Sequence, residues 1–193
     1  MNINRPTLLV NKSIALGNIR EMKHKSDESN VILRPHFKTH QSAEVGEWFR
    51  DEGVDKITVS SVEMAFYFAK HGWKDITIAF SLNIRELDSI KELSEEIELT
   101  VLISSVEHME AILAANISKL YYFIKVDVGY HRSGLEPNQH ELIKEIIAKQ
   151  NEKLRFKGFL SHFGNTYQAK NKDDVISIYK SGVNDLLTLK EEN

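Results

Sequence analysis

The chain has 193 residues, no cysteine and a formal net charge of -3 at pH 7. This length can bury one sizeable hydrophobic core and is short for two full domains. The lack of cysteine excludes disulfides, thiolate nucleophiles and zinc–thiolate sites, and the slight acidic excess gives no support to nucleic-acid binding, which normally shows a basic surplus.

The hydropathy pattern gives no support to a membrane protein. No apolar run is long enough to span a bilayer, and residues 1–6 lack the apolar core of a signal peptide. We therefore expect a cytoplasmic protein with no membrane partner.

Apolar runs of strand length alternate with helical patterns along most of the chain. After a short apolar run at residues 7–10, Ser13 is placed to cap a first helix. The predicted strands are residues 31–34, 57–59, 76–79, 99–103, 120–128 and 156–163. The predicted helices after them are Ala43 to Asp51, a helix capped by Ser60 or Ser61 that runs to His71, and residues 85–96, 106–115, 138–149 and 173–190.

The predicted strands favour an α/β barrel. Several are apolar throughout, which is typical of a parallel sheet covered by helices. A closed (β/α)8 barrel of the TIM type has eight strand–helix units and about 250 residues. Six units predict that residues 1–193 form one incomplete barrel domain. The alternative is a doubly wound open sheet, although no Gly-x-Gly-x-x-Gly follows any strand.

The segment after the first predicted strand gathers potential cations. Pro35 cannot continue a strand ladder, so the strand is leaving its sheet here. In an extended chain, one side of the segment carries Arg34, His36, Lys38 and His40. An ammonium group crowded by cations loses its proton more easily, and a Schiff-base lysine must offer a neutral amine. The spacing alone leaves open a second interpretation, a solvated basic rim.

This segment resembles a known lysine motif. Residues 34–42, Arg-Pro-His-Phe-Lys-Thr-His-Gln-Ser, resemble the Arg-Pro-His-x-Lys-Thr-His-Lys stretch of the D-threonine aldolase and D-serine dehydratase group. That group belongs to the alanine-racemase-like (fold type III) enzymes, which use pyridoxal phosphate (PLP). The resemblance implies that Lys38 carries PLP through a Schiff base, that His36 binds the cofactor, and that the barrel is an alanine racemase N-terminal domain.

The fifth predicted strand ends in Asp127-Val128-Gly129-Tyr130-His131-Arg132-Ser133-Gly134. Glycines let the backbone approach a ligand closely, and Arg132 offers a fork of donors for a phenolate or carboxylate oxygen. The residues also fit a turn stapled by a pair between Asp127 and Arg132. The stretch is similar to the Asp-x-Gly-x-x-Arg-x-Gly signature of fold type III enzymes, which implies that Arg132 lies close to PLP.

The sixth predicted strand ends in a histidine followed by a tyrosine. His162 could stack on a flat ring and Tyr167 could donate a hydrogen bond or a proton; a structural histidine is the alternative. Related enzymes often have His-x-Gly-His-x-Tyr here, so the resemblance implies cofactor contacts for His162 and Tyr167. Asn165 departs from that pattern.

Two other positions have simpler explanations. Glu63 fits a capping box with Ser60. His36 and His40 have helical i, i+4 spacing, but Pro35 argues against a helix that would make them a metal pair. We predict no metal ligands in this chain; the resemblance implies that any divalent metal of full-length relatives is bound by a C-terminal β domain, which we expect to be absent here.

The resemblance implies a PLP-dependent enzyme that acts on a small D-amino acid through Lys38. Its reaction would be that of a D-threonine aldolase or D-serine dehydratase, or a racemisation, and the protein would be a homodimer. Two alternatives stay open: a non-catalytic PLP-binding protein of the homeostasis type, and an inactive, truncated barrel.

Overall fold

The protein is described by a computed structural model that covers residues 3–193. The chain divides into two compact units, one ending at Thr58 and the other comprising Val59–Asn193. The helices are α1 (Lys12–Glu28), α2 (Ala43–Asp51), α3 (Val62–Lys70), α4 (Leu87–Glu96), α5 (Val106–Ala114), α6 (His140–Ala148) and α7 (Lys172–Glu192). The strands are β1 (Lys56–Val59), β2 (Asp75–Ser81), β3 (Glu98–Ile103), β4 (Leu120–Val126) and β5 (Leu154–Ser161).

Polar side chains cap the first turns of several helices. Asn11, rather than the predicted Ser13, caps α1, because its side-chain oxygen accepts a hydrogen bond from the N–H of Ile14 at 3.2 Å. An N-cap residue satisfies one of the backbone N–H groups that have no partner inside the helix. Asn11 precedes Ser13 by two residues, so the predicted start of the helix was two residues too late.

The cap of α3 also corrects the prediction made for Glu63. Ser61 is the N-cap residue, and its hydroxyl accepts from the N–H of Met64 at 3.1 Å. The third helical residue is therefore Met64, and Glu63 stands one position too early to complete a capping box. The capping box with Ser60 is wrong.

The first unit packs around a small apolar core and contains no strand at residues 31–34. Val31 and Ile32 are 59% and 70% exposed, so the predicted buried strand is wrong. Strands are buried by neighbouring strands, but here a single parallel bridge joins His36 with Thr58. The N–H of Val31 instead bonds to the carbonyl of Ser26 in α1 at 2.9 Å.

The sheet contains the five other predicted strands. Their order is β1-β2-β3-β4-β5, the order of the chain, and the pairs from β2 to β5 are parallel. A doubly wound sheet reverses its strand order at a switch point, whereas a (β/α) barrel adds strands in sequence. The prediction of an incomplete α/β barrel is confirmed, with five strands rather than six.

The two faces of β4 have different surroundings. Tyr122, Ile124 and Val126 are buried, and the Tyr122 hydroxyl donates to the carbonyl of Ile146 in α6 at 3.5 Å. Strand residues alternate between faces, so Tyr121 and Lys125 point away from that helix. The helix-facing side supplies the apolar core, and the other side carries polar groups toward the carboxyl end of the strand.

Candidate active site

In the first unit, Lys38 lies in a short 3₁₀ turn that spans Phe37–Thr39. The turn begins at His36, whose Nδ1 accepts the backbone N–H of Lys38 at 3.3 Å. Phe37 is completely buried and contacts the rings of His40 and Phe49, with centroids 4.5 and 5.2 Å away. Lys38 is exposed. The burial of Phe37 therefore fixes a turn that presents the lysine.

The turn changes the predicted row of cations. The extended alternation ends at His36, so the predicted single row of Arg34, His36, Lys38 and His40 does not form. The guanidinium of Arg34 donates to the carbonyl of Ile57 at 3.2 Å. Nδ1 of His40 accepts the N–H of Ser42 at 3.2 Å, and burial lowers the pKa of His40. His36 and His40 thus act here as acceptors of backbone N–H groups.

In the second unit, a carboxylate organises the loop after β4. Asp127 accepts hydrogen bonds from the N–H groups of Gly129, Tyr130, His131 and Arg132 at 2.9 to 3.0 Å. Burial alone would raise the pKa of Asp127, but these four hydrogen bonds lower it overall. The predicted staple between Asp127 and Arg132 exists, but through the backbone N–H of Arg132.

Two glycines of the same motif serve the loop itself. Gly129 and Gly134 have φ angles of +104° and +122°, which L side chains rarely adopt. A Cβ on Gly134 would lie 2.9 Å from the backbone N of Asp127. Gly134 therefore lets the loop pass close to the backbone at the end of its own strand.

Sequence reasoning missed Lys125, which lies near the end of β4. Its side chain is 5% exposed, and Nζ donates to the carbonyl of Ser133 at 3.1 Å. Burial lowers the pKa of Lys125, the charge of Arg132 lowers it further, and Asp127 opposes the shift. A single lysine inside an apolar strand, on the same face as Tyr121, was the available signal.

Tyr130 lies at the centre of a cluster that joins the loops after β4 and β5. Its ring is 5.1 Å from the guanidinium carbon of Arg132 and 5.3 Å from the ring of His162, at an interplanar angle of 76°. The ring of Tyr167 lies 6.1 Å from that of Tyr130 and 6.0 Å from that of His162. The structure thus brings the predicted residues Arg132, His162 and Tyr167 together, around a tyrosine that sequence reasoning did not single out.

The loop after β5 fits closely against Tyr130. A Cβ on Gly164 would lie 2.6 Å from Cε1 of Tyr130, so only glycine leaves room for the ring. The side-chain amide of Asn165 donates to the carbonyl of Val128 at 3.2 Å, and within residues 3–193 its buried Oδ1 has no hydrogen-bond partner. Asn165, which differs from the related motif, therefore joins the two loops through a hydrogen bond.

A cavity of about 690 Å³ borders the loop after β4. Arg132 and His131 line it together with three carboxylates, those of Asp127, Glu136 and Asp185 of α7. Ligand pockets for small molecules are typically about 300 to 1,000 Å³. The cavity therefore has room for a small ligand beside groups of both charges.

Two kinds of feature are absent from the described residues. No group of three or more His, Asp or Glu side chains within residues 3–193 is placed to hold a metal ion. None of the helices in this part of the chain is both long and apolar enough to cross a membrane.

Comparisons with known proteins identify several relatives. The chain is 28% identical over 191 residues to a D-serine dehydratase of Dictyostelium discoideum, an alignment that covers 90% of this chain and 48% of that enzyme. It is 29% identical over 173 residues to a D-threo-3-hydroxyaspartate dehydratase of Delftia sp. (strain HT23), with coverages of 87% and 46%. A D-threonine aldolase of Arthrobacter sp. is 22% identical over 176 residues.

Solved structures give the same result for the fold. The D-threo-3-hydroxyaspartate dehydratase from Delftia sp. HT23 superimposes with a TM-score of 0.90 at 25% identity, covering 98% of this chain and 52% of that chain. An alanine racemase from E. faecalis has a TM-score of 0.72 at 17% identity, which shows a shared fold.

The chain spans about half the length of the relatives that it matches. The sequence model of the family described as "Alanine racemase, N-terminal domain" matches residues 13–186, which is most of the chain. The chain therefore belongs to the alanine racemase N-terminal domain family.

Proposed function

We propose that this chain is the PLP-binding domain of an enzyme that eliminates water from, or cleaves, D-configured 3-hydroxy amino acids. The observation that carries the proposal is the similarity to a D-serine dehydratase across 90% of the chain. The other relatives are named for D-threo-3-hydroxyaspartate and D-threonine. All three compounds are D-amino acids with a hydroxyl group on the β carbon, so we take this as the substrate class.

The residues present fit a cofactor such as PLP, which has a phosphate, a phenolic oxygen and a flat ring. Lys38 offers an exposed primary amine on a turn fixed by the buried Phe37. In the second unit, Arg132 is exposed on a loop whose backbone is held by Asp127, and the ring of His162 is half-buried. These side chains supply an amine for covalent attachment, a guanidinium for the phenolic oxygen and an aromatic ring to pack against the flat ring of such a cofactor.

Bound PLP supplies an electron sink for negative charge that develops at the α carbon of an amino acid. In our proposal, Nζ of Lys38 would hold the cofactor covalently and, in the elimination reaction, would serve as the base for the α proton. Arg132 donates hydrogen bonds to a phenolate or carboxylate oxygen. His162 packs against the flat ring, and the hydroxyl of Tyr167, which is 74% exposed, donates a hydrogen bond or a proton.

The relatives favour elimination or cleavage over the non-catalytic alternative. In a dehydratase, loss of the α proton and of the β hydroxyl turns D-serine into pyruvate and ammonia. In an aldolase, the bond between the α and β carbons breaks and D-threonine yields glycine and acetaldehyde. The β hydroxyl group is required in both reactions, which is why we choose D-3-hydroxy amino acids as the first compounds to assay.

The test is reaction of the full chain with PLP. We expect wild type to show the visible absorption band of PLP bound to an amine, and borohydride to fix the cofactor on the peptide that contains Lys38. Lys38→Ala removes the amine and Lys38→Arg keeps the charge without a reactive amine, so both variants should lose the reducible adduct. Lys70→Ala, at the exposed end of α3, is the matched control and should behave as wild type.

Assays of the PLP-treated chain then distinguish the reactions. Pyruvate from D-serine but not from L-serine supports the dehydratase, and glycine from D-threonine supports the aldolase. A band that persists in Lys38→Ala, or no band in wild type, contradicts the proposal. Cell fractionation and light scattering test the predicted cytoplasmic location and homodimer.

A further inference from the structure

Tyr130 contacts several residues of the candidate site, although other hydrogen bonds already hold the loop that carries it. The loop backbone is already fixed by Asp127, whose carboxylate accepts four N–H groups, one of them from Tyr130 itself. The ring of Tyr130 is half-buried and meets three side chains that sequence patterns predicted to bind a cofactor: Arg132, His162 and Tyr167.

The contacts of the ring have defined geometry. The guanidinium of Arg132 lies 5.1 Å from the ring centroid, within the range of a cation–π interaction. His162 and Tyr167 make edge-to-face contacts at 76° and 90°, the arrangement that aromatic quadrupoles favour. One ring thus restrains the only guanidinium and the only imidazole of this cluster.

The loop after β5 leaves room for the ring of Tyr130. Gly164 lies against it, because a Cβ there would come within 2.6 Å of Cε1 of Tyr130. Asn165 joins the two loops through the carbonyl of Val128, only two residues before Tyr130. The loops after β4 and β5 are therefore fitted to each other around an aromatic side chain.

We propose that Tyr130 is a positioning residue, whose ring holds Arg132 and His162 in the orientation in which they contact the cofactor. This inference rests on the proposed function. An arginine on an exposed loop samples many rotamers, and a fixed ring beside the guanidinium reduces the conformational entropy lost when a ligand binds. The ring, rather than the hydroxyl group, does this, since the contacts described are to the ring.

The first measurement needs no cofactor. In NMR spectra of the full chain, the Nε–H signal of Arg132, assigned by its loss in Arg132→Lys, should show the ring-current shift of a group above an aromatic face. Tyr130→Phe keeps the ring and should keep the shift, whereas Tyr130→Leu should abolish it. An unshifted Arg132 signal in wild type overturns the inference.

The second measurement is the dissociation constant for PLP, from absorbance titration. We expect Tyr130→Phe to bind as wild type and Tyr130→Leu to bind about fivefold more weakly, the factor typical of one lost cation–π contact. In an Arg132→Gln background, Tyr130→Leu should have little further effect, because the ring acts through the arginine. An equal loss in that background, or wild-type affinity in Tyr130→Leu, overturns the inference and leaves the proposed function intact.

Tyr121→Leu is the matched control. Tyr121 lies near the amino end of β4, and its ring has two cations beside it, Lys157 at 4.4 Å and Lys119 at 5.2 Å. This variant removes contacts of the same kind at the opposite end of the strand and should leave PLP affinity unchanged. If wild type does not bind PLP through Lys38, the proposed function fails and this inference is overturned with it. Thermal unfolding of each variant verifies that Tyr130→Leu is folded.

Discussion

The turn around Lys38 and the loop around Arg132 each present an exposed cation, but their backbones are fixed in different ways. In the turn, the main anchor is one completely buried ring, that of Phe37, and Nδ1 of His36 accepts the backbone N–H of Lys38. In the loop, a carboxylate accepts four backbone N–H groups, including that of Arg132. Apolar burial supports the first cation, and charge-assisted hydrogen bonds support the second.

Different substitutions should therefore destabilise the two segments. Burial depends on shape and apolar area, so the turn should be sensitive to truncation of Phe37 and insensitive to salt. Hydrogen bonds to a carboxylate depend on its charge, so the loop should be sensitive to neutralisation of Asp127. The chain has two tryptophans, Trp48 in the first unit and Trp73 in the second, and each can report on its own unit.

The largest effect is expected from Phe37→Ala. Truncation of a fully buried phenylalanine typically lowers the free energy of unfolding by about 4 kcal/mol. In a Trp73→Phe background, the fluorescence of Trp48 should report a urea midpoint shifted strongly to lower concentration.

Phe80→Ala is the matched control for this variant, because Phe80 is 67% exposed at the end of β2. It should change the free energy of unfolding by less than about 0.5 kcal/mol. Equal losses in the two variants would show that burial of Phe37 does not support the turn.

Asp127→Ala is expected to have the next largest effect. It leaves four backbone N–H groups without their acceptor, at a cost of about 3 kcal/mol in the free energy of unfolding. Asp127→Asn keeps one oxygen acceptor without the charge and should lose about half as much. Urea denaturation followed through Trp73, in a Trp48→Phe background, measures both. Identical stability of the two variants would mean that the charge contributes nothing to the loop.

The strands were predictable where an apolar run also has neighbouring strands in the sheet. Residues 76–79 and 99–103 are apolar runs with neighbours on both sides in the sheet, and both form strands as predicted. Residues 31–33 have a similar apolar composition, but the one bridge nearby lies beyond them at His36, and Val31 and Ile32 stay exposed. Composition predicts the capacity to form a strand, whereas pairing decides whether one forms.

The candidate site was predictable as separate motifs but not as a cluster. Arg132 and His162 were found because each follows a strand in a recognisable pattern. Tyr130 occupies a position that the pattern leaves free, so only the distances between rings reveal its place among them. Lys125 could have been found as a lone lysine in an apolar strand, but its bond to the carbonyl of Ser133 depends on the course of the loop.

The smallest expected effect concerns pH, and it compares two histidines, one in each unit. Nδ1 of His40 accepts the N–H of Ser42, and Nδ1 of His108 accepts the N–H of Ser104. Burial lowers the pKa of both below the usual 6.5. The unfolded chain therefore takes up protons first as the pH falls below 6.5. The contribution of each histidine to the free energy of unfolding is fully present above this pH and decreases on the acid side.

Urea unfolding between pH 7.5 and 5 measures this effect. His40→Asn should reduce the fall of the free energy of unfolding with decreasing pH that Trp48 reports, and His108→Asn should reduce the fall that Trp73 reports, since asparagine keeps an acceptor but does not titrate. An unchanged slope in either variant would show that the other acid-sensitive groups of that unit, rather than its buried imidazole, govern the response.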